Sequence, residues 1–266
     1  MQMKILFPEF KDKAVTLSYD DCCPADRKMV EILNRYNIKC TFNVCSSWLK
    51  SGNTVTEDEV NTLYRGHEVA SHTATHKHME RISSAEAAQE IIEDRRELER
   101  ITGKIINGFA YPFGLPSRER EPKIAEMCGI KYARTVNSTY NFELPGNLLT
   151  WNPTCHHKDG NLFNLLSDFL NTKIDTTKLF YLWGHSCEFE NDNNWEILEE
   201  FCKKVSSSDE VWCATNGEIA DYLIAFSRIV KSCDGNTVYN PTDKRLYVQT
   251  EDGQYILEPA STTKIG

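Results

Sequence analysis

Over its first 220 residues the chain alternates short β-branched or aromatic segments with longer amphipathic segments whose apolar residues recur every three to four positions. This alternation is typical of βα units arranged around a parallel sheet or barrel. Seven segments have the composition of strands, at residues 14–19, 40–44, 68–71, 108–110, 132–135, 179–183 and 211–214. The pattern therefore predicts an α/β fold, and the length of 266 residues suits one barrel domain.

Helix starts between these strands are marked by capping boxes, in which a Ser or Thr and a Glu three residues later satisfy each other's free backbone N–H groups. The three pairs are Thr56 with Glu59, Ser83 with Glu86, and Thr215 with Glu218. The longest predicted helix spans residues 85–101 and is rich in Glu and Arg. Such a charge run predicts an exposed outer face.

The pattern changes after residue 230 to short strand-like runs at 237–239, 246–249 and 254–257. Asp252-Gly253 between the last two is a hairpin turn signal. We expect a barrel domain at 1–230 and a small C-terminal β appendage at 231–266, packed on the barrel because no flexible linker separates them.

Composition excludes several classes of protein. A formal net charge of -9 without a basic stretch argues against nucleic acid as a partner. No apolar run has the length of a signal peptide or a membrane span, which predicts a cytoplasmic protein without a membrane partner. The 10 cysteines include no C-x-x-C pair, so reduced thiols are the first interpretation and secreted disulfides the second.

Two adjacent carboxylates, Asp20 and Asp21, close the first predicted strand. Active sites of parallel barrels gather at this end of the strands, and neighbouring side chains there point in different directions. One carboxylate could therefore face a metal and the other a substrate. A helix cap or turn pair is the alternative interpretation.

Two histidines, His72 and His76, follow the third predicted strand. On a helical turn, positions four apart share a face, so both rings could reach one divalent ion. With one carboxylate they make a three-ligand site with open positions for water and substrate. A surface histidine pair is the alternative.

Two further strand ends carry candidate residues. Tyr111-Pro112-Phe113-Gly114 forms a turn that could aim backbone N–H groups at a reacting carbonyl, although this segment taken alone favours a plain strand-ending turn. His185 follows the strand of residues 179–183 and could act as a general acid or be a structural histidine.

In this order, the Asp-Asp strand end, the H-x-x-x-H segment, the Pro-x-Gly turn and the strand ending near a histidine resemble the polysaccharide deacetylase family, that is, the NodB-homology domain of carbohydrate esterase family 4. The resemblance spans residues 14–222 and looks like a divergent branch. It implies a distorted (β/α) barrel of about seven parallel strands and one divalent metal ion, commonly zinc. The implied activity is removal of N- or O-linked acetyl groups from carbohydrates by metal-activated water.

The resemblance also implies roles for individual residues. Asp20 matches the base, His185 the acid, and the Phe113 N–H in the turn after Tyr111 the oxyanion donor. The metal ligands would be Asp21, His72 and His76, and the acetyl pocket would be lined by Leu182 or Trp183.

One departure concerns the arginine with which the third motif of the family usually opens, because Ala110 stands at that position here. Another group must then hold Asp20, or its pKa differs. Two alternatives to the carbohydrate deacetylase remain open: a deacylase or amide hydrolase acting on a small non-sugar substrate, and a catalytically silent carbohydrate-binding module.

Overall fold

The structure, a computed structural model, describes residues 3–114, 117, 119–172 and 176–266. Its strands are, in chain order, β1 Lys4–Leu6, β2 Lys13–Asp20, β3 Thr41–Val44, β4 Glu68–Ser71, β5 Gly108–Ala110, β6 Tyr132–Arg134, β7 Cys155–His156, β8 Lys178–His185, β9 Val211–Cys213, β10 Val230–Lys231, β11 Thr237–Asn240, β12 Leu246–Gln249, β13 Gln254–Leu257 and β14 Ser261–Lys264. Its helices are α1 Asp26–Arg35, α2 Val60–Leu63, α3 Ser84–Thr102, α4 Arg120–Met127, α5 Leu162–Asn171, α6 Ser186–Asn191, α7 Glu196–Ser206 and α8 Asn216–Ser227. Short 3-10 turns lie at Pro8–Phe10, Ser46–Lys50, Glu57–Glu59, Met79–Arg81 and Leu148–Thr150.

Within the described residues, a parallel sheet of eight strands forms the centre of the fold, in the order β6-β5-β4-β3-β2-β8-β7, with β9 paired to β2. All seven predicted strands are present, and the predicted distorted (β/α) barrel is confirmed. The sequence pattern missed β7, because its two residues are too short to show a period of two. No strand pairing joins β6 to β7 in the described part of the chain, so the barrel is open on that side.

Strand β2 is buried along its whole length, and its two faces serve different purposes. Leu17 and Tyr19 belong to the apolar core between the sheet and its outer helices. Alternate residues of a strand point to opposite faces, so Ser18 and Asp20 point into the barrel. The interior is therefore polar at the C-terminal end of β2, where the predicted site lies.

The three predicted capping boxes are present, at Thr56, Ser83 and Thr215. In α3, however, the prediction of a fully exposed charged face is wrong for two residues. Asp94 is completely buried and Glu90 nearly so, in line with Ile91 and Leu98 on the inner side of the helix. Both lie on the buried stripe of the 3.6-residue period and accept hydrogen bonds from the end of β4 and from the loop that follows it.

The C-terminal strands form two small antiparallel sheets in the described residues, in the orders β10-β11-β14 and β1-β12-β13. The second sheet includes β1 from the N-terminus, which the sequence analysis did not assign as a strand. Val238 and Val248 share an apolar cluster with Tyr181 and Trp151 of the barrel region. The division into domains at residue 230 stays a prediction.

Among the described residues no helix combines the length and the apolar character needed to cross a bilayer. All ten cysteines belong to the described part of the chain and are unpaired.

Candidate active site

Asp20 ends β2 and points into the barrel, with its side chain almost fully buried. Asn43 of β3 donates from Nδ2 to one carboxylate oxygen, Oδ1, at 2.7 Å. The guanidinium of Arg134 donates to the other oxygen, Oδ2. Burial alone raises the pKa of Asp20, but Arg134, His72, His185 and the Asn43 hydrogen bond outweigh it, so the pKa lies below its usual value. Asp20 is therefore ionised at neutral pH.

Arg134 is the group that holds Asp20, in place of an arginine at position 110. The two residues are partners in the register of β5 and β6, so the guanidinium comes from the neighbouring strand at the same level of the barrel. Arg134 is completely buried and packs over the Trp183 ring, 4.5 Å from its centroid. Sequence reasoning missed this residue, although it ends a predicted strand as the other candidates do.

The three predicted metal ligands come together beside Asp20. Asp21 Oδ1 lies 3.5 Å from His76 Nε2 and 3.7 Å from His72 Nε2. All three donor atoms are within 4.8 Å of one another, and His72 is buried. Burial and the neighbouring Asp20 raise the pKa of Asp21 to about 6, which is the electrostatic environment that a cation would relieve.

The predicted helical turn between the two histidines is wrong. No helix covers residues 72–78, and Thr73 and His76 both have left-handed backbone conformations, with φ of 64° and 57°. This loop nevertheless brings the two rings to a centroid distance of 4.9 Å. A β-branched residue in the left-handed region is strained, so the surrounding structure must hold the loop in place.

Hydrogen bonds to Ala110 and Asp94 help to hold His72. Its Nδ1 lies 2.8 Å from the carbonyl oxygen of Ala110. Because a carbonyl only accepts, Nδ1 carries the proton. The lone pair is then on Nε2, which lies on the side of Asp21. Asp94 of α3 accepts from the His72 backbone N–H at 3.1 Å and from the Ser71 hydroxyl at 2.6 Å.

The donor set fits a divalent ion. Two donors bound at about 2.0–2.1 Å to a tetrahedral ion lie roughly 3.3–3.4 Å apart, close to the separations of Asp21 from the two histidines. Asp21 Oδ1 is buried without a hydrogen-bond partner among the described residues, as expected of an oxygen reserved for another ligand. Two imidazoles and one carboxylate are the ligand types that catalytic zinc sites use.

His185 ends β8 opposite Asp20 in the strand register. Its Nε2 is 4.0 Å from Asp20 Oδ2 and 3.7 Å from Asp21 Oδ2, and its Nδ1 is 3.4 Å from Glu188 Oε2. Burial lowers the pKa of His185, but Glu188, Asp20 and Asp21 outweigh burial and raise the pKa to about 9. The ring is therefore protonated at neutral pH and can donate a proton into the site.

The turn after β5 lies over the histidine pair. The Phe113 backbone is left-handed, with φ of 60°, and its ring stacks on His78 at 3.5 Å and meets His76 edge-on at 4.5 Å. Tyr111 is buried, and its hydroxyl donates to the Leu149 carbonyl, so it anchors the turn. Among the described residues the Phe113 N–H donates to no protein acceptor.

The prediction that Leu182 lines an acetyl pocket is wrong. Leu182 is buried in the apolar core between sheet and helices, with Phe180 and Phe189. It points away from His185 because strand side chains alternate. Trp183 lies on the same face as His185, partly exposed beside it at a ring distance of 5.9 Å.

Comparison with known proteins gives the family of this fold. Residues 8–133 match the family model described as polysaccharide deacetylase, and this segment contains Asp20, Asp21, His72 and His76. Residues 8–133, just under half of the chain, are thus related to the polysaccharide deacetylases. No match was found among curated proteins.

Solved structures described as polysaccharide deacetylases or family 4 carbohydrate esterases share the fold. A Mycobacterium smegmatis protein assigned to the polysaccharide deacetylases has 18% identity and a TM-score of 0.63, covering 84% of this chain and 94% of its own. A family 4 carbohydrate esterase from Streptomyces lividans, solved with acetate, has 13% identity and a TM-score of 0.52, covering 77% and 93%. A family 4 pseudoenzyme from Bacillus anthracis has 20% identity and a TM-score of 0.54, covering 82% and 68%.

Beyond residue 133, where the family match ends, the chain supplies Arg134, His185 and Glu188 to the site. None of the three lies in the matched segment. Arg134 and Glu188 were not singled out in the sequence because their importance depends on which strand ends meet in space.

Proposed function

We propose that this protein is a metal-dependent deacetylase that hydrolyses N- or O-linked acetyl groups of a carbohydrate. The observation that carries the proposal is the meeting of Asp20, His185 and the three donors of Asp21, His72 and His76 at one end of the barrel. A base, an acid and a cation site within hydrogen-bonding reach of one small volume suit hydrolysis of an acyl group.

Asp21, His72 and His76 would hold one divalent ion, with zinc expected from the ligand types. Such an ion would supply Lewis-acid chemistry, polarising the acetyl carbonyl and making water more acidic. The weak basicity of Asp20 is then sufficient, because an ionised carboxylate beside an acidified water can accept its proton.

The other residues of the site would act on the substrate. The carboxylates of Glu188, Asp20 and Asp21 stabilise the protonated form of His185. His185 would then donate its proton to the departing sugar nitrogen or oxygen. The Phe113 N–H would stabilise the oxyanion, since it is free of protein acceptors among the described residues. Trp183 would contact the acetyl group from the same face of β8.

Bound metal per chain tests the cation site. We expect close to one equivalent at this site, and its loss in His72→Ala and Asp21→Ala, while His78→Ala serves as the histidine control outside the three ligands. Retention of that equivalent in both ligand variants would contradict the proposed site.

Acetate release tests the reaction. The purified chain loaded with Zn²⁺ is assayed on N-acetylated and O-acetylated oligosaccharides and on acetylated small amides. We expect turnover of a sugar substrate, with Asp20→Asn keeping its metal but losing at least about a hundredfold in rate. Turnover of small amides alone would favour a non-sugar deacylase, and sugar binding without turnover would favour a silent module.

Cytoplasmic location stays a prediction.

A further inference from the structure

A second group of possible metal ligands lies on the far side of His185. His156 and His157 follow one another at the end of β7, and Glu188 lies in the first turn of α6. Glu188 Oε2 is 3.1 Å from His156 Nε2 and 3.5 Å from His157 Nε2. One nitrogen of each ring and this oxygen all lie within 4.8 Å of one another.

The ring of His157 is buried and makes no hydrogen bond to another described residue. Its side chain is only 1% exposed, and neither ring nitrogen makes a hydrogen bond among the described residues. A neutral imidazole must carry one N–H and one lone pair, and leaving both unpaired in the interior costs free energy. The buried ring therefore indicates a partner other than a protein side chain.

The fold holds His157 firmly in this position. Its ring stacks against the rings of Tyr19, at 5.6 Å, and of Phe189, at 4.0 Å. On a third side Gly184 leaves room for it, since a Cβ at that position would come within 2.0 Å of His157 Nδ1. Three elements thus fix a ring whose nitrogens they do not satisfy.

We propose that His156, His157 and Glu188 bind a second divalent transition-metal ion, separate from the one expected at Asp21, His72 and His76. The 3.1 and 3.5 Å separations bracket the roughly 3.3–3.4 Å that two donors have around a tetrahedral ion. Two imidazoles with one carboxylate favour zinc and its first-row neighbours over calcium or magnesium, which prefer oxygen ligands. A lone pair on each ring would face the ion.

The ion would join two parts of the fold. Glu188 also accepts from the His185 backbone N–H at 3.2 Å and caps α6. Binding would fix the end of β7 to the first turn of α6, directly behind the ring of His185. The side chains of His156 and Glu188 are 20% and 25% exposed, and they give the ion a route from solvent.

Zinc content of the full chain tests this proposal without reference to activity. The protein is stripped with chelator, reloaded with Zn²⁺, freed of excess and measured by elemental analysis. We expect two equivalents in the parent, one in His156→Ala, one in Asp21→Ala and none in the double variant. His78→Ala, a histidine of neither group, should keep two.

Glu188→Gln provides a second variant that keeps the helix cap, and circular dichroism shows that each variant is folded. It should also bind one equivalent. The proposal is overturned if the parent binds a single equivalent that His156→Ala retains. It is equally overturned if both His156→Ala and Glu188→Gln still bind two.

Discussion

One buried guanidinium sets the electrostatics of the candidate site. Arg134 has no solvent exposure, donates to Asp20 and to the Thr135 carbonyl, and packs on Trp183. In so dry an environment an unpaired carboxylate is strongly disfavoured, so Asp20 stays ionised only while a positive partner is present. The register partner Ala110 leaves the space that Arg134 occupies.

Arg134→Met removes the charge and keeps most of the volume. We expect it to lower the free energy of unfolding at pH 7 by about 3–5 kcal/mol, because Asp20 is left buried and unpaired. The deficit should shrink as the pH falls, because protonation of Asp20 removes the unpaired charge. Urea unfolding at pH 7 and pH 4.5 measures this, and a deficit that is equal at both pH values would contradict it.

A relocation variant separates charge from packing. Ala110→Arg combined with Arg134→Ala returns the guanidinium to β5, at the same level of the barrel. This double variant should recover part of the stability, and of the acetate release, that Arg134→Ala loses.

Helix α3 supports the site although it contributes no ligand. Asp94 accepts from the Ser46 N–H at 2.7 Å and from Ser71 and His72, so one carboxylate joins the ends of β3 and β4. Glu90 accepts from the Thr75 N–H and hydroxyl, at 2.9 and 2.8 Å. These bonds hold the strained loop between His72 and His76, the two histidines of the proposed metal site.

Asp94→Asn should therefore act at a distance from the cation. Its amide places a donor against N–H and O–H donors, which we expect to cost about 2–3 kcal/mol of unfolding free energy. Zinc affinity should fall about 10–100-fold, as for other groups that orient ligands. Glu93→Gln, an exposed change one residue earlier in the helix, is the matched control. Equal zinc affinity in the two variants would show that Asp94 does not orient His72.

Strand β8 depends on one glycine. A Cβ on Gly184 would clash with the His157 ring, whereas a Cβ on the exposed Gly160 meets no atom within 4 Å. We expect Gly184→Ala to destabilise the protein by about 1–3 kcal/mol and Gly160→Ala to change stability little. Thermal unfolding of both variants measures this, and similar melting temperatures would contradict the close fit of β7 against β8.

Across the whole molecule, buried neutral histidines make stability depend on pH. Burial and the charge of Lys39 lower the pKa of His67 to about 4, and its Nδ1 accepts from the Cys40 N–H at 3.2 Å. Between pH 6.5 and 4 the unfolded chain binds a proton at His67 that the folded chain excludes. The contribution of His67 is thus complete above pH 6.5 and is lost as the pH falls toward 4.

His67→Gln isolates that contribution. Over this range the parent should lose about 3 kcal/mol more unfolding free energy than the variant, from the shift of His67 alone. Urea denaturation of both proteins at pH 7, 5.5 and 4.5 gives the comparison. If the stability of parent and variant fell in parallel with pH, the folded protein would take up a proton at His67 as readily as the unfolded chain does.

Much of this molecule was predictable from local patterns. The β-branched or aromatic runs of β2 and β8, the capping boxes at Ser83 and Thr215, and the strand runs β12 and β13 all report the local environment of each segment, and all are present. Strand β1 was missed because three residues show no period, and their pairing with β12 lies far along the chain. The loop from His72 to His76 was wrongly expected to be helical because spacing alone does not fix backbone geometry.

The sequence by itself determined the βα order of the chain and the residue types at the strand ends, Asp20, Asp21, His72, His76 and His185, because both are local properties. Only the tertiary structure decided that Arg134 replaces the missing arginine beside Asp20 and that Leu182 faces the core. It also decided that Glu188 meets His156 and His157. These facts depend on strand register and on contacts between distant segments, and packing of the whole chain selects them.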